Sequence, residues 1–227
     1  MNLLYAFLFL IQIIYSKFIS IRSGGLKGFY MFGISKYLKE NYNLNHCIFY
    51  GASAGAWNSL YLCLKNHDDL TDYLTKVDLS SCQNMHDIEV CVKDYFMTRY
   101  YSHDFNLHNL NICVSVLNRY RINKKIIEGF VSLDDALDCC MASSHIPYIT
   151  KLEPIYMYKQ YVCIDGGFFQ DPHPSHVKPD LIIYPEMFDN KNIDKFSNMK
   201  NLNIKELIKE GYQDAKKHKR FLDEKLI

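Results

Sequence analysis

The sequence predicts an α/β fold built on a mostly parallel sheet, and three observations carry that expectation. Residues 17–22 (KFISIR) form a β-rich run that stops at Ser23-Gly24-Gly25, and residues 46–50 (HCIFY) form a second that runs into Gly51-Ala52-Ser53-Ala54-Gly55. Each glycine turn is followed by apolar residues at helical spacing, so strand, glycine turn and helix occur twice in succession. Parallel strands joined by right-handed crossovers produce that order and place both turns at the carboxyl ends of adjacent strands. Finally, eight of the ten glycines fall in three clusters, at 24–33, 51–55 and 166–167. A residue without Cβ lets the backbone approach a ligand closely and turn sharply, so such clusters mark sites.

The elements follow in order. Residues 3–15 (LLYAFLFLIQIIY) are apolar except for Gln12, of signal h-region length and too short to cross a bilayer alone. Residues 1–16 are therefore a signal, an anchor or a helix packed on the domain, and the chain is expected in the cytoplasm, at a membrane or, through that segment, secreted. After the first strand, Leu26, Phe29, Tyr30, Gly33, Ile34, Tyr37 and Leu38 recur at helical spacing. A second helix follows the serine turn over residues 56–64. Residues 68–109 are polar and read as helices and loops over one end of the sheet. Residues 111–117 (NICVSVL) are a strand. Ser132 caps a helix with Asp135 three residues on, and Ile146-Pro147 ends it. Residues 161–164 (YVCI) lead into Asp165-Gly166-Gly167, residues 181–184 (LIIY) are a last buried strand, and Ile204, Leu207, Ile208, Gly211, Tyr212, Ala215, Leu222 and Leu226 outline an amphipathic C-terminal helix.

Composition narrows the function. A hydrophobic content of 48% and a net charge of +1 fit a globular protein and give no footprint for nucleic acid. The aromatic residues, 18 Tyr and 14 Phe, read first as core. Of the eight cysteines, Cys47, Cys113, Cys163, Cys139 and Cys140 sit in apolar runs and read as buried thiols.

The chemistry lies in the glycine clusters. In G-x-S-x-G, the flanking Gly51 and Gly55 permit a tight strand-to-helix turn that presents Ser53 Oγ, which makes Ser53 the candidate nucleophile. A serine hydroxyl needs a base. Asp165, at the end of a β run and followed by Gly166 and Gly167, suits that role. Backbone N–H groups of Gly24, Gly25, Leu26 and Gly28, opening a helix, suit an oxyanion.

Together these residues resemble the patatin-like phospholipase family, which carries a glycine-rich oxyanion loop, then G-x-S-x-G, then D-G-G or D-G-A more than a hundred residues later. Here those are residues 23–28, 51–55 and 165–167, with a family-like stretch, Ala142-Ser143-Ser144-His145-Ile146-Pro147, between them. The resemblance implies a three-layer sandwich with a central, mostly parallel sheet over residues 17–188, with residues 189–227 a loop and helix packed on the same domain. It further implies a Ser53-Asp165 dyad without catalytic histidine, no cofactor, calcium independence, no metal, and a membrane or micellar lipid as substrate. One departure is Ser23, where the family has a glycine; its side chain would narrow the oxyanion hole or tune the acyl preference.

Other readings compete. Ser53, Asp165 and His173 or His176 reproduce the chain order of an α/β-hydrolase triad acting on soluble esters. A patatin fold that binds lipid with weak turnover is a third reading. The first glycine loop lacks the G-x-G-x-x-G of a dinucleotide turn, and neither His173-x-x-His176 nor Cys82, His86 and Cys91 completes a recognised metal set. Lys27 reads as solvated, and Trp57, the only tryptophan, as core.

Overall fold

The structure, a computed structural model, describes residues 16–65, 70–77, 82, 84–119 and 121–227. The apolar run at 3–15 lies outside the described residues. Strand β1 (Lys17–Ile21) ends in a 3₁₀ turn (Gly25–Lys27) that opens helix α1 (Gly28–Asn41), and β2 (Cys47–Ala52) runs through Ser53 into α2 (Ala54–Cys63). The polar region supplies α3 (Leu70–Lys76) and α4 (Met85–Arg99). Next come β3 (Leu110–Asn118), β4 (Arg121–Ile127), α5 (Leu133–Ser143), β5 (Tyr156–Tyr158), β6 (Tyr161–Ile164) and β7 (Leu181–Ile183), before α6 (Ile204–Lys217) and α7 (Lys219–Leu226).

Among the described residues, seven strands form one mixed, mostly parallel sheet flanked by helices, a three-layer α/β sandwich. β7, β1, β2 and β3 are parallel neighbours, and β4, β5 and β6 are antiparallel additions. The central strands are buried on both faces, as parallel strands covered by helices must be: Ile19, Ile21, Ile112 and Val114 have no exposed surface. Helix α5 is capped as the sequence predicts, Ser132 Oγ accepting from Asp135 N–H at 3.1 Å. The six cysteines at 47, 63, 113, 139, 140 and 163 are buried thiols.

Register brings the site together. Ile112 and Cys113 pair with both β2 and β4, and Ser115 and Val116 pair with both β4 and β6. A strand has two edges, so β2 and β6 share one edge of β3 while β4 takes the other. Ala52 lies opposite Cys113 on the parallel strand, and Ile164 lies opposite Ser115 on the antiparallel one. The next residue of each, Ser53 and Asp165, therefore reaches the level of Val114 from opposite directions. Two residues far apart in sequence meet head to head.

The C-terminal segment forms two helices that break at His218. α6 packs against α1 closely enough that a Cβ on Gly211 would lie 1.9 Å from Tyr30 O, and Tyr30 Oη donates to Asp214 at 2.8 Å. Residues beyond 188 are thus fastened to the α/β core.

Candidate active site

Ser53 occupies a strained turn, with φ 55° and ψ −127°. L-residues rarely adopt positive φ, and such strain is kept where the surroundings hold it in place. Here the hold is visible. Ser53 N–H donates to Ser143 Oγ at 2.8 Å, and that hydroxyl donates onward to Cys113 O at 2.6 Å, pinning the turn to β3. Gly55 allows the turn to pass β1, because a Cβ there would lie 2.1 Å from Ile21 O. Gly51 similarly faces Gly55 O, at 2.3 Å from where its Cβ would be.

Asp165 is held from three sides. Its N–H donates to His145 O at 2.7 Å, its carbonyl accepts from Ser115 Oγ at 2.8 Å, and its Oδ1 accepts from Gly167 N–H at 2.6 Å. Oδ2 is buried without a partner in hydrogen-bond geometry. Burial raises the carboxyl above its ordinary value, while the neighbouring Ser53 hydroxyl and the Gly167 N–H oppose that rise. An unpartnered carboxylate oxygen beside the serine hydroxyl has the capacity to accept a proton. Gly166 packs its backbone on Cys113 O, 2.0 Å from where a Cβ would sit.

In the glycine loop, Gly25 has φ +51° and open space where a Cβ would be. The N–H groups of Lys27 and Gly28 bond within the turn, to Gly24 O and to Gly25 O and Leu26 O. A helix's first N–H groups have no intrahelical acceptor, which leaves those of Gly25 and Leu26 for an anion. Gly28 instead provides close packing, since its Cβ would lie 2.6 Å from Ala54 Cβ, and Gly24 lies against Met31 and Pro185.

Ser53, Gly25 and Gly28 are among the residues that line an apolar cavity of about 750 Å³, open solvent at its mouth included. Its walls include Phe29, Phe32, Trp57, Leu74, Ile88 and Phe96. The polar stretch at 68–109 thus builds a lipophilic chamber through α3 and α4. Trp57 is part of it rather than only core: the half-buried indole lines the cavity and donates from Nε1 to Ser144 Oγ at 3.2 Å.

The structure also places three residues around the glycine loop. Ser23 is not among the residues lining the cavity; it lies against Gly167, whose Cβ would come within 2.6 Å of Ser23 Cβ, so it abuts the Asp165 turn. Lys27 is paired with Asp194 at 2.8 Å and Glu186 at 3.4 Å, not merely solvated. Arg22, before the loop, is bidentate on Asp171 Oδ1 (2.7 and 3.1 Å) and lies over the Tyr184 ring.

The triad reading names His173 or His176 as base. His173 Nδ1 bonds Ser20 Oγ at 3.0 Å, His145 Nε2 bonds Glu153 O at 3.0 Å, and His176 is exposed. Among the described residues, no group of three or more His, Cys, Asp or Glu is placed to hold a metal ion. What sequence reasoning missed is the strut at 143–145: Ser143 holds Ser53, Ser144 holds Trp57, and His145 O holds Asp165.

A family model described as patatin-like phospholipase matches residues 19–177. The chain belongs to the patatin-like phospholipase family. That match spans both glycine turns, the serine elbow and the Asp165 turn, and supports ester hydrolysis on lipids in general terms. No curated protein matches the chain.

Proposed function

We propose that this patatin-like protein hydrolyses acyl esters of phospholipids through a Ser53-Asp165 dyad and an acyl-enzyme intermediate. Ser53 Oγ attacks the ester carbonyl while Asp165 Oδ2 takes its proton. The N–H groups of Gly25 and Leu26 donate to the developing oxyanion, and collapse expels the alcohol, which takes the proton back from Asp165. Water then attacks the acyl-enzyme with Asp165 again as base, and collapse breaks the bond to Ser53 Oγ, which recovers the proton from Asp165 as the fatty acid leaves. A positioned base contributes roughly 10²–10⁴-fold and an oxyanion donor about 10²–10³-fold. The reading calls on no metal ion and no histidine.

The observation that carries it is the meeting of β2 and β6 on one edge of β3, which brings together a buried carboxylate and a strained serine that lines an apolar chamber. A lipid surface as the site of action is supported by the loop that follows the strut. Ile146 and Thr150 line the cavity, while Tyr148, Ile149 and Leu152 are 66%, 67% and 87% exposed. Exposed apolar side chains gathered at a cavity's edge mark a surface that meets apolar matter.

The test is mass spectrometry of phospholipid vesicles after incubation with wild type and with Ser53→Ala. Release of fatty acid and lysophospholipid by wild type alone is expected; equal release by the variant, or none by either, overturns the proposal.

A further inference from the structure

Helix α4 faces the cavity with Met85, Ile88, Glu89, Val92 and Phe96, an i, i+3, i+4, i+7, i+11 stripe in which only Glu89 is polar. Glu89 is 6% exposed, and its Oε2 is buried with no hydrogen-bond partner. Its carboxyl has the Ser144 hydroxyl and the Trp57 indole as neighbours, which account for part of its hydrogen-bonding capacity. The dyad does not use it. A carboxyl in this stripe is expensive to bury where a Leu or Met would pack freely, and an unmade buried hydrogen bond costs stability until a ligand supplies the missing partner.

We infer that Glu89 is a specificity residue that selects acyl chains carrying a hydroxyl group along the tail. This inference rests on the acyl-hydrolase reading of the same cavity. A hydroxyl both donates and accepts, so it satisfies Oε2 whichever of the two carboxyl oxygens holds the proton. Burial pushes the Glu89 carboxyl up to about 8, with the nearby Asp165 adding to the rise and Ser144 and Trp57 opposing it, so the group is largely uncharged at neutral pH. A neutral carboxyl is a hydrogen-bonding group that an otherwise apolar tail can accommodate. An unsubstituted chain leaves the oxygen as it is in the free protein.

The test compares the full chain with Glu89→Gln and Glu89→Met on stearoyl phospholipids and on positional isomers of hydroxystearoyl phospholipids. Wild type should favour at least one isomer over stearoyl by about 10-fold or more in kcat/KM, the effect of one recovered hydrogen bond in a buried site. Glu89→Gln, which still donates and accepts, should keep that ratio, and Glu89→Met should bring it close to one. A merely structural Glu89 would move all substrates together and leave the ratio unchanged, which would overturn the inference. So would a wild type without preference for any isomer.

A binding measurement separates this inference from the hydrolase reading and does not depend on turnover. Trp57 is the only tryptophan and lines the cavity, so its fluorescence reports occupancy. Ser53→Ala should bind one hydroxystearate isomer about 10-fold more tightly than stearate, and Ser53→Ala with Glu89→Met should bind the two alike. Equal affinity in Ser53→Ala overturns the role of Glu89 even where wild type hydrolyses phospholipid. Preferential binding with no hydrolysis by wild type supports Glu89 while the hydrolase proposal falls. Should Glu89→Met fail to fold, the wild-type and Glu89→Gln ratios and the Ser53→Ala binding still decide it.

Discussion

Gly55→Ala is a sharp test of the serine turn. The added methyl would lie 2.1 Å from Ile21 O and 2.6 Å from Arg22 O, short of ordinary contact at 3.4 Å by as much as 1.3 Å. The β1 side cannot give easily: Ile21 pairs with both β2 and β7, and Arg22 N–H donates to Ile183 O at 2.9 Å. The first turn of α2 must therefore move, and Ser53 with it. Overpacking of this kind costs about 1–3 kcal/mol. For a chain of this size that lowers the melting temperature by roughly 2–12 °C. A displacement near 1 Å at a nucleophile costs on the order of 10²-fold in rate. Scanning calorimetry reads the first effect, and the rate of labelling by a fluorophosphonate, measured well below the melting temperature, reads the second. Gly129→Ala is the control. Gly129 has φ +71° with no atom within 4 Å of a Cβ, so strain there lowers stability without slowing labelling. Gly55→Ala labelled at the wild-type rate would refute the close-packed turn.

Three further outcomes follow from the same geometry. Because burial raises Asp165 above 3.8 and a general base must be ionised, the acid limb of kcat/KM should fall at a pH above that of an ordinary aspartate; a limb at or below the ordinary value counts against Asp165 as base. Glu89 holds its proton to about 8 in the folded state and to about 4.5 when unfolded, so its contribution to stability is full below pH 4.5 and declines as pH rises through 8. Glu89→Gln should remove that decline from the pH profile of the melting temperature, and an unaltered difference profile would refute the burial argument. His173→Asn should lose the buried bond to Ser20 and about 1 kcal/mol of stability while keeping most of its activity, whereas a loss beyond about 10²-fold in kcat would revive the histidine triad.

The sheet was legible because short apolar runs leave a strong local signal: those of β1, β2 and β6 run into glycine turns, and those of β3 and β7 stand as apolar runs alone. β4 was not. Its sequence, RINKKII, is half exposed and paired only with β3, so it needs no continuous apolar run. The serine turn and the Asp165 turn could be named from residue type, but their meeting depends on a register along β3 that no local pattern contains. The long polar stretch at 68–109 hid the apolar chamber, since its helices bury one stripe and solvate the rest. Glu89 did leave a trace: it interrupts the helical stripe of Met85, Ile88, Val92 and Phe96, a break visible once α4 is placed as a helix. Ser143 was marked only as part of the family-like stretch at 142–147; that its hydroxyl bridges the Ser53 turn to Cys113 within β3 has no signature in sequence.

The most direct measurement is the rate and site of fluorophosphonate attachment in wild type and Asp165→Asn, read by peptide mass spectrometry. The dyad predicts modification at Ser53, slowed by roughly 10²–10⁴-fold when the carboxylate is replaced by an amide. Attachment at another residue, or unchanged labelling in Asp165→Asn, would contradict it.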